Sequence, residues 1–309
     1  MEYVNHTNFH FQNTAVSLGK FDGVHLGHQK LMDCILEQKK AGMKAVVFSF
    51  LIHPGTLLGN KEMSLILTEE EKKEKLEKMG IDVLVSYPFS KETLSMEPEQ
   101  FIEEILVGKL DAKVIAVGEN FRFGHKRRGD VELLRKYASK YGYELYVQPR
   151  IKVAGERISS TWIRECIVEG NMEYITNLLG HPYSIKGEVV HGKKIGRALG
   201  MPTANVVPNK QKLLPPYGVY ASKTLIDGVW YDGITNIGVK PTITDENGKL
   251  AETFLFDYKG SLYGKEIQTN LYYYQRPEQK FESIDALKVQ MEKDCLEAKR
   301  YFENGFKEQ

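Results

Sequence analysis

Gly19-Lys20-Phe21-Asp22-Gly23-Val24-His25-Leu26-Gly27-His28 sets the architecture that the first half of the chain repeats. A short apolar run, residues 15–18, precedes it, and an amphipathic run, residues 29–41, follows. The expectation is strand, glycine-rich turn, helix. Glycines let backbone approach a ligand where a Cβ would clash. A helix start offers unpaired N–H groups and partial positive charge, both suited to phosphate. His25 and His28 sit at the mouth of that turn. Spacing leaves two readings open: imidazoles on the phosphates of a nucleotide, or plain polar groups at a helix start.

Outward from this turn the alternation repeats. Strands are expected at 45–50, 83–87, 114–117 and 144–147, with helices at 69–79, 98–107 and 131–141 between them. Thr68 precedes acidic residues as an N-cap, Pro98 fits a first turn, and Gly42, Gly80 and Gly142 follow helix ends. Strands alternating with helices imply a parallel, doubly wound α/β sheet, which binds ligands beyond the carboxyl ends of its strands. Helical patterns at 162–169 and 172–179 close this region. After Gly180-His181-Pro182 the texture changes to short alternating runs at 185–190, 218–226, 229–237, 253–258 and 268–274. Pro215-Pro216-Tyr217-Gly218, Asp227-Gly228 and Asn247-Gly248 punctuate them, as in an antiparallel barrel or sandwich. Ser283 caps a last helix, 284–302. The domains are therefore read as 1–182 and 183–309.

At 309 residues the chain exceeds what one core ordinarily supports, in keeping with two domains. Hydrophobic content of 42% and charged content of 27% are those of a globular protein. A net charge of +1 gives no basis for a nucleic-acid or membrane surface. Residues 1–11 lack the blocks of a signal peptide, and no apolar stretch is long enough to span a bilayer. A cytoplasmic protein, monomeric or weakly self-associating, is expected. Cys34, Cys166 and Cys295 lack any paired metal spacing and read as buried free thiols in a reducing compartment.

Several further stretches could carry chemistry. Phe50-Leu51-Ile52-His53-Pro54 closes a strand and could be a plain exit loop. Val117-Gly118-Glu119-Asn120-Phe121-Arg122-Phe123-Gly124 leads into His125-Lys126-Arg127-Arg128-Gly129. Either Asn120 and backbone groups read a base there, or the basic cluster is a solvated turn. In Arg157-Ile158-Ser159-Ser160-Thr161-Trp162-Ile163-Arg164, the hydroxyls either cap the next helix or join both arginines around a polyphosphate. Thr203 and Asn205, two residues apart on an extended chain, point the same way. Hard oxygens at that spacing suit Mg²⁺, with a polar turn as the other reading. Glu252 enters an otherwise apolar strand and could serve as general base toward an alcohol attacking a phosphoryl group. Gly187-Glu188-Val189-Val190-His191-Gly192-Lys193-Lys194 nearly matches a P-loop. Lys194 replaces its final Ser/Thr and no helix pattern follows, so a Walker site is rejected. Its glycines are read as a flap against a ligand.

Together these motifs resemble, in order and over nearly the whole chain, the bacterial bifunctional riboflavin kinase/FMN adenylyltransferase (FAD synthetase) family. The paired-histidine turn and the Ile158-Ser159-Ser160-Thr161 helix start occur in nucleotidyltransferases with several acceptors. The segment from Gly118 to Gly124, with Arg127-Arg128-Gly129-Asp130, narrows the acceptor to FMN. Riboflavin kinase is matched by Gly196-Arg197-Ala198-Leu199-Gly200-Met201-Pro202-Thr203-Ala204-Asn205. Pro216-Tyr217-Gly218-Val219-Tyr220, Asn236-Ile237-Gly238, Pro241-Thr242 and Leu262-Tyr263-Gly264 support it. The resemblance implies a Rossmann-like nucleotidyltransferase domain, then an antiparallel β-barrel riboflavin kinase domain with a C-terminal helix.

It also implies two reactions, riboflavin plus ATP to FMN, then FMN plus ATP to FAD and pyrophosphate. By resemblance, Thr203 and Asn205 hold Mg²⁺ with ATP, Gly192 contacts ATP, and Glu252 is the base. His25, His28 and Arg164 are the implied catalytic groups of adenylyl transfer. Gly19, Phe21, Asp22, Gly23, Asn120, Arg157, Ser159, Ser160 and Thr161 are assigned to ATP and phosphate, and Phe121 and Phe123 to the flavin. Many relatives carry an acidic residue and proline before the His-Pro, where this chain has Leu51-Ile52. One alternative is a kinase joined to a degenerate first domain that binds flavin or nucleotide. Another is an RNA-binding barrel joined to a lone nucleotidyltransferase. Near-neutral charge and the lack of an interleaved basic–aromatic stripe count against the latter, and Tyr272-Tyr273-Tyr274 reads as strand packing.

Overall fold

The computed structural model describes residues 1–51, 64–192, 196, 200–239 and 248–304. Ile52, His53, Pro54, Lys193, Lys194, Arg197, Ala198, Leu199, Pro241, Thr242 and Asn247, singled out above, lie outside the described residues. The chain divides into two compact units, Met1–Ile158 and Ser159–Gln309.

In the first unit, strands β1 (Glu2–Val4), β2 (Thr14–Leu18), β3 (Lys44–Leu51), β4 (Val83–Pro88), β5 (Ala112–Gly118) and β6 (Glu144–Gln148) form one sheet. Its order is β1-β4-β3-β2-β5-β6, and every pairing is parallel. The helices are α1 (Leu26–Glu37), α2 (Glu69–Lys78), α3 (Lys91–Ser95), α4 (Pro98–Gln100, running on as a π-helix over Phe101–Lys109) and α5 (Val131–Tyr141). Both sheet faces are covered, which is why β2 is apolar on each side. Val16 and Leu18 join one core with Phe48, Val85 and Ile105; Ala15 meets Met32, Ile35 and Val47 on the other. Thr68 and Glu71 form a reciprocal capping box at the start of α2, and Gly42 and Gly142 end helices in the left-handed region. A small hairpin, β7 (Lys152–Val153) and β8 (Glu156–Arg157), follows.

The second unit begins with α6 (Ser160–Glu169) and α7 (Met172–Leu179). Strands β9 (Tyr183–Val190), β10 (Thr203–Val206), β11 (Gly218–Ile226), β12 (Val229–Val239), β13 (Lys249–Leu255) and β14 (Glu266–Pro277) then close a barrel, ordered β10-β13-β12-β11-β14-β9. All its pairings are antiparallel. Closure removes the sheet edges that a sandwich would leave. Hydroxyls inside the barrel satisfy one another: Thr235 bonds Ser222 and Thr253 at 2.8 Å each. The outer face carries Val219, Ala221, Ile234 and Phe256 beneath Ala298 of the last helix, α8 (Ile284–Glu303). The tyrosine run is packing: Tyr273 stacks on Tyr301 and Tyr272 meets Phe302 edge-on.

Several boundaries differ from the pattern, and β10 is not among the expected strands; two of the differences bear on the sites. α1 starts at Leu26 rather than at residue 29, because His25 itself caps the helix and His28 lies in its first turn. The strand expected at 253–258 runs Lys249–Leu255, and Asp257, at φ 56°, turns the chain away soon after. β1, only three residues long, carries no legible alternation. Cys34 and Cys166 are buried as expected; Cys295 is partly exposed.

Candidate active sites

In the first unit the opening turn links the carboxyl end of β2 to α1. Its backbone is strained: Phe21, Gly23 and Val24 lie at φ 51°, 90° and 42°. For Val24, a β-branched residue, that conformation is costly. Full burial of the Phe21 and Val24 side chains holds it in place. The Asp22 carboxylate accepts the Ile66 N–H at 2.9 Å, tying the turn to the segment before α2. Phe21 meets His28 edge-on at 5.2 Å and lies where a Cβ on Gly19 would go.

The two imidazoles stack 3.6 Å apart at 14°. His25 Nδ1 accepts the His28 N–H at 3.3 Å. Burial lowers the His25 pKa to about 4. Burial, then the neighbouring His25, drives His28 well below its ordinary value. Both rings are thus neutral at pH 7, each with one N–H to donate. His28 Nδ1 is buried and has no hydrogen-bond partner among the described residues.

At the end of β5, Asn120 is exposed and Phe121 half-buried. Phe123 is 3% exposed and stacks on Phe121 at 5.6 Å, so Phe121 is the ring of the pair with free surface. Arg122 pairs with Asp130 at 2.7 Å, and Arg128 pairs with Glu97. Lys126 and Arg127 remain exposed, both at positive φ. Arg157 is exposed on β8. Ser159 caps α6 by accepting the Trp162 N–H at 3.2 Å; Ser160, Thr161 and Arg164 lie in the first turns of that helix. The boundary between the units thus falls within this motif, between Ile158 and Ser159.

The barrel site is built by register. β10 pairs with β13 so that Asn205 stands opposite Glu252 and Thr203 opposite Phe254; β12 places Asn236 on the other side of Glu252. Residues opposite one another share a face, so Thr203, Asn205, Glu252 and Asn236 line one patch of the outer barrel wall. Asn205 is 5% exposed, and its Oδ1 is buried with no hydrogen-bond partner among the described residues. Gly192 rests on the Asn205 amide: a Cβ there would lie 2.7 Å from Nδ2 and 3.0 Å from Oδ1. Only glycine permits that approach. A cleft of about 70 Å³ opens here between Val189, Gly192, Thr203, Asn205, Tyr258 and Leu262.

Further features meet the patch only through the fold. Glu278 accepts the Asn236 side-chain N–H at 3.0 Å. His191 stacks on Tyr263, which itself lines the cleft. A second cleft of about 320 Å³ lies between Met201, Phe254, Phe256 and Asp257 of the barrel unit and Glu292, Cys295, Leu296 and Lys299 of α8, so that charged groups share its lining with apolar ones. Phe254 borders both this cleft and the Thr203–Glu252 patch.

Among the described residues no cluster of three His, Cys, Asp or Glu side chains could hold a metal, and no helix is long and apolar enough to cross a membrane. The neutral oxygens of Thr203 and Asn205, one of them buried and unsatisfied, fit a Mg²⁺ whose remaining ligands are phosphates and water.

Comparison with known proteins places both units. A family model described as FAD synthetase matches residues 8–162, and one described as riboflavin kinase matches residues 179–302. Bifunctional riboflavin kinase/FMN adenylyltransferases from Listeria monocytogenes, Buchnera aphidicola and Escherichia coli K12 are 35%, 39% and 37% identical to the chain. Each match covers 94% of it and 93%, 94% and 93% of the relatives respectively. A solved structure named as a macrolide-efflux protein from Streptococcus pneumoniae is 28% identical, with a TM-score of 0.86 over 98% of this chain and all of that one. Matches across both units, in the order of the quoted motifs, assign the protein: the chain belongs to the bifunctional riboflavin kinase/FMN adenylyltransferase family.

Proposed function

We propose that the chain makes FAD from riboflavin in two ATP-dependent steps, with residues 183–309 acting as the kinase and residues 1–182 as the adenylyltransferase. The observation that carries the first assignment is the barrel patch where a buried, unsatisfied Asn205 oxygen faces the strand bearing Glu252. In the kinase step Glu252 takes the proton of the riboflavin 5′-hydroxyl as its oxygen bonds to the γ-phosphorus and ADP leaves. Thr203 and Asn205 would hold Mg²⁺ against the nucleotide phosphates, and the cation, when bound, neutralises charge on the transferred group. The Gly192 side of the site takes the nucleotide. The cleft under α8, where Phe254, Phe256, Met201 and Leu296 offer apolar surface and Asp257, Glu292 and Lys299 offer polar groups, suits the isoalloxazine ring and would bring the ribityl chain toward Glu252.

In the second step an FMN phosphate oxygen attacks the α-phosphorus of ATP and pyrophosphate leaves. That nucleophile is already anionic, so this site needs positioning and charge stabilisation, not a strong base. Neutral His25 and His28 are suited to donate hydrogen bonds to phosphate oxygens. By family resemblance Arg157, Ser159, Ser160, Thr161 and Arg164 serve the same phosphates, Asn120 the nucleotide, and Phe121 with Phe123 the flavin. The unpaired thiols fit a reducing cytosol. Incubation with riboflavin and Mg-ATP, followed by chromatography of the flavins, is expected to yield FMN and then FAD. FMN as the sole product would remove the second assignment, and unchanged riboflavin would remove both.

A further inference from the structure

We infer that Tyr263 is a positioning residue for the kinase reaction, acting through His191 to seat Gly192 on Asn205. The inference rests on the reading of the Asn205 cleft as the nucleotide site.

Three observations converge. First, the loop carrying Tyr263 is fixed to the end of β9 by two backbone bonds. Val189 N–H donates to Lys265 O at 2.9 Å, and Gly264 N–H donates to Val189 O at 3.0 Å. Tyr263 is thereby placed beside the two residues that leave β9. Second, His191 lies on the Tyr263 ring, with centroids 4.0 Å apart and planes 30° from parallel. His191 is otherwise exposed, and among the described residues the stack is the ring contact that holds its imidazole. Third, the next residue, Gly192, packs on the Asn205 amide at a distance no Cβ would permit.

The physical consequence follows from chain connectivity. One peptide separates His191 from Gly192, so fixing the imidazole limits where the Gly192 backbone can go. Gly192 in turn closes one side of the space around Asn205, whose Oδ1 is the unsatisfied atom of the site. Without the stack, His191 is an exposed side chain next to a glycine, and nucleotide binding must order His191 and Gly192. Such ordering weakens binding in the ground state and leaves the chemistry at Glu252 largely untouched. Aromatic pairs of this kind contribute enough for the loss to be read as a threefold to tenfold rise in KM for ATP, roughly.

The test uses the full chain, with kinase kinetics measured against ATP at saturating riboflavin and FMN adenylylation measured separately. Tyr263→Ala and His191→Ala are each expected to raise KM for ATP with a smaller change in kcat. Tyr263→Phe and His191→Phe, which keep two stacked rings, retain the low KM. The double alanine variant is no worse than either single one, since both remove the same contact. FMN adenylylation stays unchanged in every variant. Equal damage from Tyr263→Phe and Tyr263→Ala would overturn the proposal, because the hydroxyl and not the stack would then matter. Multiplicative single effects, or a fall in kcat at constant KM, would overturn it too. Absence of riboflavin phosphorylation by the unaltered chain would instead refute the underlying kinase reading, so the two failures are told apart.

Discussion

At the scale of single residues, burial decides which protonation states the sites can use. His25 and His28 sit in a turn that disfavours their charged forms, His25 titrating at about 4 against an ordinary 6.5. Below pH 6.5 the unfolded chain binds protons that the folded turn refuses. Stability is therefore full above that pH and is lost as pH falls from about 6.5 toward about 4. For His25 alone the loss at pH 5 is on the order of 2 kcal/mol. Ring-proton NMR resonances of both residues are expected to stay flat between pH 8 and 5; a midpoint near 6.5 for either would contradict the neutral-donor role. Much of this was legible in the chain, because strand, glycine turn and helix are local signals. The helix start at Leu26 was not, since it depends on a His25 ring nitrogen accepting the His28 N–H.

Elements bring together what spacing cannot. Thr203 and Asn205 read as a pair from their two-residue separation, but Glu252 joins them only through the register of β10 on β13. Register across a closed barrel is a nonlocal property, so neither Asn236 beside Glu252 nor Glu278 beside Asn236 could be placed from the sequence. The same holds for α8, whose periodicity announces a helix and leaves its partner unstated. Its anchor is Asp294, 2% exposed, which accepts both Nε and Nη2 of Arg276 at 2.9 and 2.7 Å and the Gln290 amide at 2.8 Å. Removing one partner of such a pair leaves a poorly solvated charge and costs about 3–5 kcal/mol. Asp294→Ala is thus expected to lower the urea midpoint of the barrel unit substantially. Trp230 lies on β12 of the barrel and Trp162 on α6 in the junction motif, so the midpoint is read in a Trp162→Phe background, where Trp230 is the remaining tryptophan. A midpoint indistinguishable from that of the same background with Asp294 in place would show that α8 is held by its apolar contacts instead.

For the molecule as a whole, the chemistry of the two reactions explains why two unlike sites occur in one chain. An alcohol must lose a proton to attack phosphorus, and under the proposed reading Glu252 of the barrel would take it. A phosphate monoester is already a nucleophile, and the α/β unit offers neutral donors at a strained turn. Fold class and the order of motifs were readable because each unit has its own periodicity. The contact division between Ile158 and Ser159 falls inside the Arg157–Arg164 motif, and α7 packs on β9 and β14, a nonlocal contact that helical periodicity does not announce. The most direct measurement is a pair of assays on Glu252→Gln, one supplied with riboflavin and one with FMN, each with Mg-ATP. FMN formation from riboflavin should fall by about 10²-fold or more, while FAD formation from supplied FMN stays close to that of the unaltered chain. Parallel loss of both reactions would contradict the assignment of two separate sites.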